Sequence, residues 1–187
     1  MRVISGSARG VRLSGVPENV RPTSDRVRES VFNLLGQFFR GGAVLDLYAG
    51  TGALGIEALS RGCERAVFVE KDHKNARVIR KNLEAARLLE RAEIVVGETK
   101  REASRLVGDT GKEFNLIFCD PPYRIARVEV GGIIRVIPDL LAAEGTLVLE
   151  ADESLEDLVG GAGLRCRVRK YGGTFITRAW KESEDEV

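Results

Sequence analysis

A chain of 187 residues, 43% hydrophobic and 30% charged, fits one ordinary globular domain with room for at most a small appendage. No apolar run approaches the ~18 residues of a membrane span, residues 1–6 lack a signal-peptide core, and three distant cysteines leave an odd thiol in any pairing; a reducing, cytoplasmic setting is expected. The net charge of +1 hides an asymmetry: residues 1–28 hold six arginines against two acids, a surplus of four, so the remaining 159 residues sum to −3.

A basic segment on a near-neutral body points to a polyanionic partner. Arg2, Arg9, Arg12, Arg21 and Arg26 are the candidates for nucleic-acid contact. His73 is the single histidine, which argues against a histidine metal site or a serine–histidine triad and suits a solvated surface position.

Residues 1–20 carry short β-prone pieces broken by Gly6, Gly10, Gly15 and Pro17, so a small hairpin or basic arm is expected. Pro22 and Thr23-Ser24-Asp25 offer a helix cap. Val27, Val31, Leu34, Leu35 and Phe38 then recur at helical spacing up to Gly41-Gly42. The pattern alternates from there. Strands are expected at 44–47, 66–70, 94–96, 116–118 and 146–150. Helices are expected at 53–61, 72–90, 99–107 and 128–142, with a short one at 154–159. Residues 164–180 read as two strands turned at Gly172-Gly173. The tail, 181–187, is acidic. Strands alternating with helices imply an α/β fold with a parallel sheet covered on both faces. The last pair, with no helix between them, implies an antiparallel hairpin at one edge. Ligands in such sheets bind beyond the carboxyl ends of the strands, near the switch in strand order.

After the first strand comes Asp46-Leu47-Tyr48-Ala49-Gly50-Thr51-Gly52-Ala53-Leu54-Gly55, and Gly50, Gly52 and Gly55 match the nucleotide-binding fingerprint. Glu70 closes the second strand 20 residues after Gly50, where a carboxylate can take both hydroxyls of a ribose. A dinucleotide would put a pyrophosphate at the helix N-terminus, yet Asp46 sits beside that loop with like charge. S-adenosylmethionine carries no phosphate; it brings an ammonium, a sulfonium and a carboxylate. The charge argument therefore favours the methyl donor, although the sequence leaves open where Asp46 points. Tyr48 and Ala49 flank the loop and Lys71 follows the ribose acid. Glu98, after the third strand, can accept from an adenine amine or serve as a helix N-terminal acid.

Asp120-Pro121-Pro122-Tyr123 follows the fourth strand on the same sheet edge. Two prolines restrict the backbone to extended shapes and remove two N–H donors. The result is a stiff, acceptor-rich clamp, and Tyr123 adds an aromatic face for a planar base. Such a clamp suits methyl transfer to an exocyclic amine. The Asp120 carboxylate and Pro121 carbonyl can hold the two amine hydrogens and aim the nitrogen lone pair at the methyl group. Methyl transfer needs no metal.

These features together resemble the class I amino-methyltransferases. More narrowly, Arg2-Val3-Ile4-Ser5-Gly6, Arg21-Pro22-Thr23-Ser24-Asp25-Arg26-Val27-Arg28-Glu29, the 45–55 loop, Glu57-Ala58-Leu59-Ser60-Arg61-Gly62 and the DPPY resemble the RsmD family. The resemblance spans nearly the whole chain, from Arg2 to Trp180, and implies a Rossmann-like, mostly parallel seven-stranded sheet over 21–180. It implies methylation of guanine N2 in 16S ribosomal RNA, of the guanine-966 type, with S-adenosylhomocysteine as product. The partner would be small-subunit rRNA or an assembling small subunit; nothing suggests an obligate oligomer, so a monomer is expected. It further implies that the N-terminal arm and the 21–29 block lie beside the active site, with Thr23 and Arg26 touching cofactor or target. The rivals are an adenine-N6 methyltransferase acting on DNA or RNA, a protein-glutamine methyltransferase, which would favour Asn at position 120, and a binding scaffold without turnover. No spare segment exceeds about 40 residues, too short for a typical target-recognition domain.

Overall fold

The computed structural model describes residues 1–15, 25–109 and 113–182. The central sheet comprises β1 (Ala43–Leu47), β2 (Arg65–Glu70), β3 (Ala92–Val96), β4 (Phe114–Cys119), β5 (Leu141–Ala151), β6 (Leu164–Tyr171) and β7 (Thr174–Lys181). Their spatial order is β3-β2-β1-β4-β5-β7-β6. The first five are parallel; β7 runs antiparallel to β5, and β6 antiparallel to β7. This is the Rossmann-like seven-stranded sheet with a terminal hairpin that the sequence leads one to expect. Its strand order reverses between β1 and β4.

Every residue of β1 is buried, because both sheet faces are covered. On one face lie α1 (Asp25–Leu35), α2 (Ala53–Ser60) and α3 (His73–Ala86), packed with Val44, Phe68, Phe118 and Val148. On the other lie α4 (Thr99–Val107), α5 (Ala126–Ile133), α6 (Ile137–Leu140) and α7 (Glu156–Gly161), packed with Leu45, Leu47, Ile117 and Leu149. Among the described residues no helix is long and apolar enough to cross a membrane. All three cysteines are free, and His73 is exposed at the start of α3.

Four elements differ in extent from the sequence pattern, three of them for a local reason. The first helix stops at Leu35, not near Phe38, because Gly36 takes a left-handed φ of 102°; Phe38 is left 68% exposed. The helix expected to reach residue 90 stops at Ala86. Arg87 turns left-handed, its N–H donates to the Glu84 carbonyl, and the Leu88 N–H donates to the Leu83 carbonyl. That is a Schellman closure, in which the apolar residue past the end packs back on the helix. Leu88 therefore continues the helical stripe without being helical. The expected 128–142 helix divides into α5, a 3-10 turn at Ile134–Val136 and the short α6 with Pro138 in its first turn, and Leu141 already belongs to β5. A register shift between Phe114 and Leu116 lets β5 begin this early. The short helix expected at 154–159 runs instead over Glu156–Gly161.

Residues 1–15 form a loop docked on the α1–α3 face. Arg2 and Arg12 form one antiparallel bridge, and Val3, Ala8 and Leu13 are buried against the α1–α3 face. Buried Glu57 of α2 accepts from the Ile4 and Ser5 N–H groups at 2.8 and 2.9 Å while pairing with Arg61 at 2.8 Å. Ser60 accepts from Ser7 through its carbonyl and from Ala8 through its hydroxyl. Gly6 has to be glycine: φ is 84°, and a Cβ would lie 1.8 Å from the Ser60 carbonyl oxygen. The 57–62 motif thus serves as the seat of the arm. Arg28, fully buried in α1, donates to the Arg2 carbonyl, so one of the six N-terminal arginines is structural. The acidic tail beyond residue 182 lies outside the described residues.

Candidate active site

The crevice lies where the strand order reverses. Leu47 of β1 pairs with Val69 of β2 on one side and Cys119 of β4 on the other. Tyr48, Glu70 and Asp120 therefore leave the sheet side by side. Tyr48, Gly50 and Gly52 all take left-handed φ, at 60°, 56° and 75°. For Tyr48 that conformation costs of order 1–2 kcal/mol, and the loop holds it there. The Ala49 N–H donates to the Val69 carbonyl and the Gly52 N–H returns to the Ala49 carbonyl. The Tyr48 hydroxyl donates to Glu129 of α5 at 2.8 Å. Burial, then nearby Cys119 and Glu129, raises its ionisation well above the ordinary phenol value.

Asp46 points at the loop. Its Oδ2 accepts from the Gly55 N–H at 2.9 Å and the side chain is 2% exposed. A Cβ at Gly55 would meet Phe68 at 2.4 Å and Asp46 Oδ2 at 3.1 Å, which explains the third glycine. Burial holds the Asp46 carboxyl well above 3.8; the Gly55 N–H opposes that, and the charges of Asp120 and Glu70 add to it. Three carboxylates thus share one crevice wall, which disfavours a pyrophosphate and favours a cation.

Glu70 accepts from the Gly50 N–H at 2.8 Å and the Asp72 N–H at 2.9 Å, one bond per oxygen. Each oxygen retains a second lone pair suited to a ribose hydroxyl. Lys71 is exposed beside it. Glu98 is exposed at the N-cap of α4 but makes no side-chain cap bond, so its carboxylate is not spent on the helix end. The residues present fit S-adenosylmethionine: acids for its cationic groups and hydroxyls, and a glycine-lined backbone for close approach.

On the β4 side, Asp120 is half-buried, Pro121 buried and Pro122 exposed. Pro122 lies at φ −56° and ψ 125°, and its carbonyl accepts from the Ile125 N–H, closing a 3-10 turn over Tyr123–Ile125. The Tyr123 hydroxyl donates to Glu150 Oε1 at 2.6 Å and lies 2.9 Å from Thr174 Oγ1. The end of the DPPY is therefore tied to the end of β5 and the start of β7. Burial, then Glu150, pushes its ionisation upward.

The N-terminal candidates do not all reach this crevice. Asn82 of α3, 1% exposed, accepts from the Ser14 N–H at 2.7 Å and donates to the Ser14 and Thr51 carbonyls at 3.1 and 2.9 Å. It thereby ties the end of the arm to the glycine loop. Arg9 lies elsewhere, at the far end of α2, on a recess of about 510 Å³ with Ser5, Phe38 and Gly62. Arg2 and Arg12 are exposed neighbours on the bridge. Arg21, Thr23 and the Arg26 side chain lie outside the described residues. Sequence reading missed Glu150, Thr174, Glu129 and Asn82. Only Glu150 carried a signal, as an acid closing an apolar strand like Glu70.

A sheet of this order, with a glycine loop, a strand-end acid and a DPPY turn on one crevice, defines a class I S-adenosylmethionine-dependent methyltransferase. The family model described as conserved hypothetical protein 95 matches residues 1–180. The chain is 40% identical to the putative rRNA methyltransferase YlbH of Bacillus subtilis, over 94% of this chain and 96% of that one. It is 36% identical to ribosomal RNA small subunit methyltransferase D of Escherichia coli, over 83% and 72%. The solved structure of the putative methyltransferase yhhF from Escherichia coli superposes with a TM-score of 0.80 at 30% identity, covering 98% of this chain and 99% of that one. The chain belongs to the RsmD family of methyltransferases.

Proposed function

We propose that the protein, acting as a monomer, methylates the exocyclic N2 of a guanine in small-subunit ribosomal RNA. The observation that carries this reading is the DPPY turn, braced by Glu150 and Thr174 and adjoining the Asp46–Glu70 wall, in a chain whose relatives are rRNA methyltransferases by name.

S-adenosylmethionine supplies an electrophilic methyl group on a sulfonium. Glu70 holds the ribose hydroxyls and Glu98 the adenine amine; Lys71 and Thr23 border that pocket. Tyr48, Ala49, Gly50, Gly52 and Gly55 shape the backbone around the amino-acid moiety, and Asp46 offsets its cationic charge. Asp120 and the Pro121 carbonyl take the two hydrogens of the guanine amine and turn its lone pair toward the methyl group. A new N–C bond forms as the S–C bond breaks, and Asp120 accepts the proton the amine sheds. Pro122 keeps the turn rigid and Tyr123 covers the base. Arg2, Arg12, Arg21 and Arg26 contact RNA phosphates, with Arg9 as a distal contact.

The test is to incubate purified protein and labelled donor with unmethylated small subunits and with protein-free rRNA, then map the product by mass spectrometry. Label on guanine N2, abolished by Asp120→Ala with donor affinity retained, is the expected result. Label on adenine, or on no RNA, overturns the proposal.

A further inference from the structure

The terminal hairpin carries a charge pattern outside the site just described. Between Leu164 and Lys181 there are six basic residues and no acid. Arg165, Arg167 and Arg169 alternate along β6, so all three project from one face of the sheet. The pairing register sets Trp180 opposite Arg165, Arg178 opposite Arg167 and Ile176 opposite Arg169. Arg178 therefore joins the same face, its guanidinium 5.7 Å from the Trp180 ring centre. All four arginines are exposed. The two lysines of the hairpin belong to the opposite face: Lys181 donates to the Leu141 carbonyl, and Lys170 lies over the Phe175 ring.

β6 is the outer strand of the sheet, and charge on an edge strand commonly guards against strand-to-strand association. That role explains basic residues in general but not this arrangement. Like charges directly opposed across two strands are destabilising, and Arg167 opposite Arg178 is such a pair. Among the described residues, Glu182 is set against the ladder, on Arg165. Arginine's planar fork also suits phosphate oxygens better than a lysine ammonium does.

Position adds the rest. β6 runs parallel to β5, so its carboxyl end and the start of β7 lie at the active-site edge. Thr174 there touches the Tyr123 hydroxyl. Arg169 is two residues from Tyr171, and Arg165 lies roughly 14 Å further down the strand. This face is the one carrying α1–α3 and the docked N-terminal loop, as the shared packing of Val3, Ile176 and Tyr171 shows.

We infer that Arg165, Arg167, Arg169 and Arg178 form a phosphate-binding track that leads away from the DPPY turn and holds the RNA strand flanking the target base. This inference rests on the RNA reading above. The test compares the parent with Arg167→Gln/Arg169→Gln/Arg178→Gln, and with the matching triple lysine variant, in RNA binding across a salt series and in steady-state kinetics. Losing three phosphate contacts lowers the slope of log affinity against log salt by roughly 2 for a single strand. A rise from 50 to 200 mM salt then costs the glutamine variant roughly 16-fold less affinity than it costs the parent. Its KM for RNA rises, while kcat and donor affinity hold. The lysine variant keeps the charge and hence most of the slope. An unchanged slope and KM in the glutamine variant, with the parent active on RNA, overturns the track and leaves the RNA reading intact. A parent that neither binds nor methylates RNA overturns both.

Discussion

Asn82→Ala should separate the N-terminal loop from the glycine loop and weaken the site without touching it. The Asn82 amide satisfies the Ser14 N–H, the Ser14 carbonyl and the Thr51 carbonyl from a position 1% exposed. Three hydrogen bonds at about 0.5–1.5 kcal/mol each bound the net loss. Ser14 is partly exposed and can recruit water, whereas the Thr51 carbonyl bond is buried. The expected cost is thus in the middle of that range, about 2–3 kcal/mol, or roughly 4–12 °C in melting temperature for a chain of this size. Asn82→Asp is the sharper probe. It keeps the acceptor for Ser14 but aims a carboxylate at two carbonyls, so it should fall below Asn82→Ala at neutral pH and recover as the acid is protonated. Thermal melts give the stability, hydrogen exchange over residues 1–13 reads the arm, and titration with S-adenosylhomocysteine reads the loop. Faster arm exchange together with weaker ligand binding is the expected result. Arm exchange equal to the parent's would refute the latch, whatever the melting temperature did.

Asp46→Asn should change the pH dependence of stability. The folded carboxyl is held well above 3.8 by burial, with Asp120 and Glu70 adding to it. Below 3.8 both folded and unfolded chains are protonated, and the contribution is fully present. As pH rises, the unfolded chain sheds its proton first, so the parent loses stability until the folded carboxyl also ionises. The variant does not titrate there, so its melting temperature relative to the parent should climb from pH 4 toward neutrality; a difference flat with pH refutes the assignment. Tyr123→Phe removes a donor to nearly buried Glu150 and a contact with Thr174. Bonds to charged acceptors are worth about 1.5–3 kcal/mol, so a loss of that order is expected, with kcat falling and donor affinity unchanged; a proportional loss of donor affinity counts against a substrate-side role.

What could be read from the sequence was what is written in consecutive residues. The glycine loop, Glu70 and the DPPY each follow an apolar strand, and a parallel α/β sheet must bring such strand ends to one edge. The direction of Asp46 could not be read. It depends on Gly55 reaching back across the first turn of α2, which only the folded loop defines. The arginines of the arm stand out in the sequence, whereas Val3, Ala8 and Leu13, which seat it, recur every fifth residue, a spacing of neither helix nor strand. Glu57 and Ser60 looked like ordinary helical residues, because their partners lie more than 50 positions away. The arginine alternation on β6 is plain in the sequence, but its pairing with Arg178 needs the hairpin register.

The contact between Tyr123 and Thr174 joins residues 51 positions apart. A ribosome making this chain releases the DPPY well before the strand that braces it. β6 reaches the sheet only through β7, which pairs with β5. The Thr174 brace on the DPPY turn is therefore available only once the final hairpin is made, whereas the glycine loop and Glu70 depend on strands made earlier. Without the hairpin, the Tyr123 hydroxyl keeps Glu150 of β5 and loses Thr174 of β7.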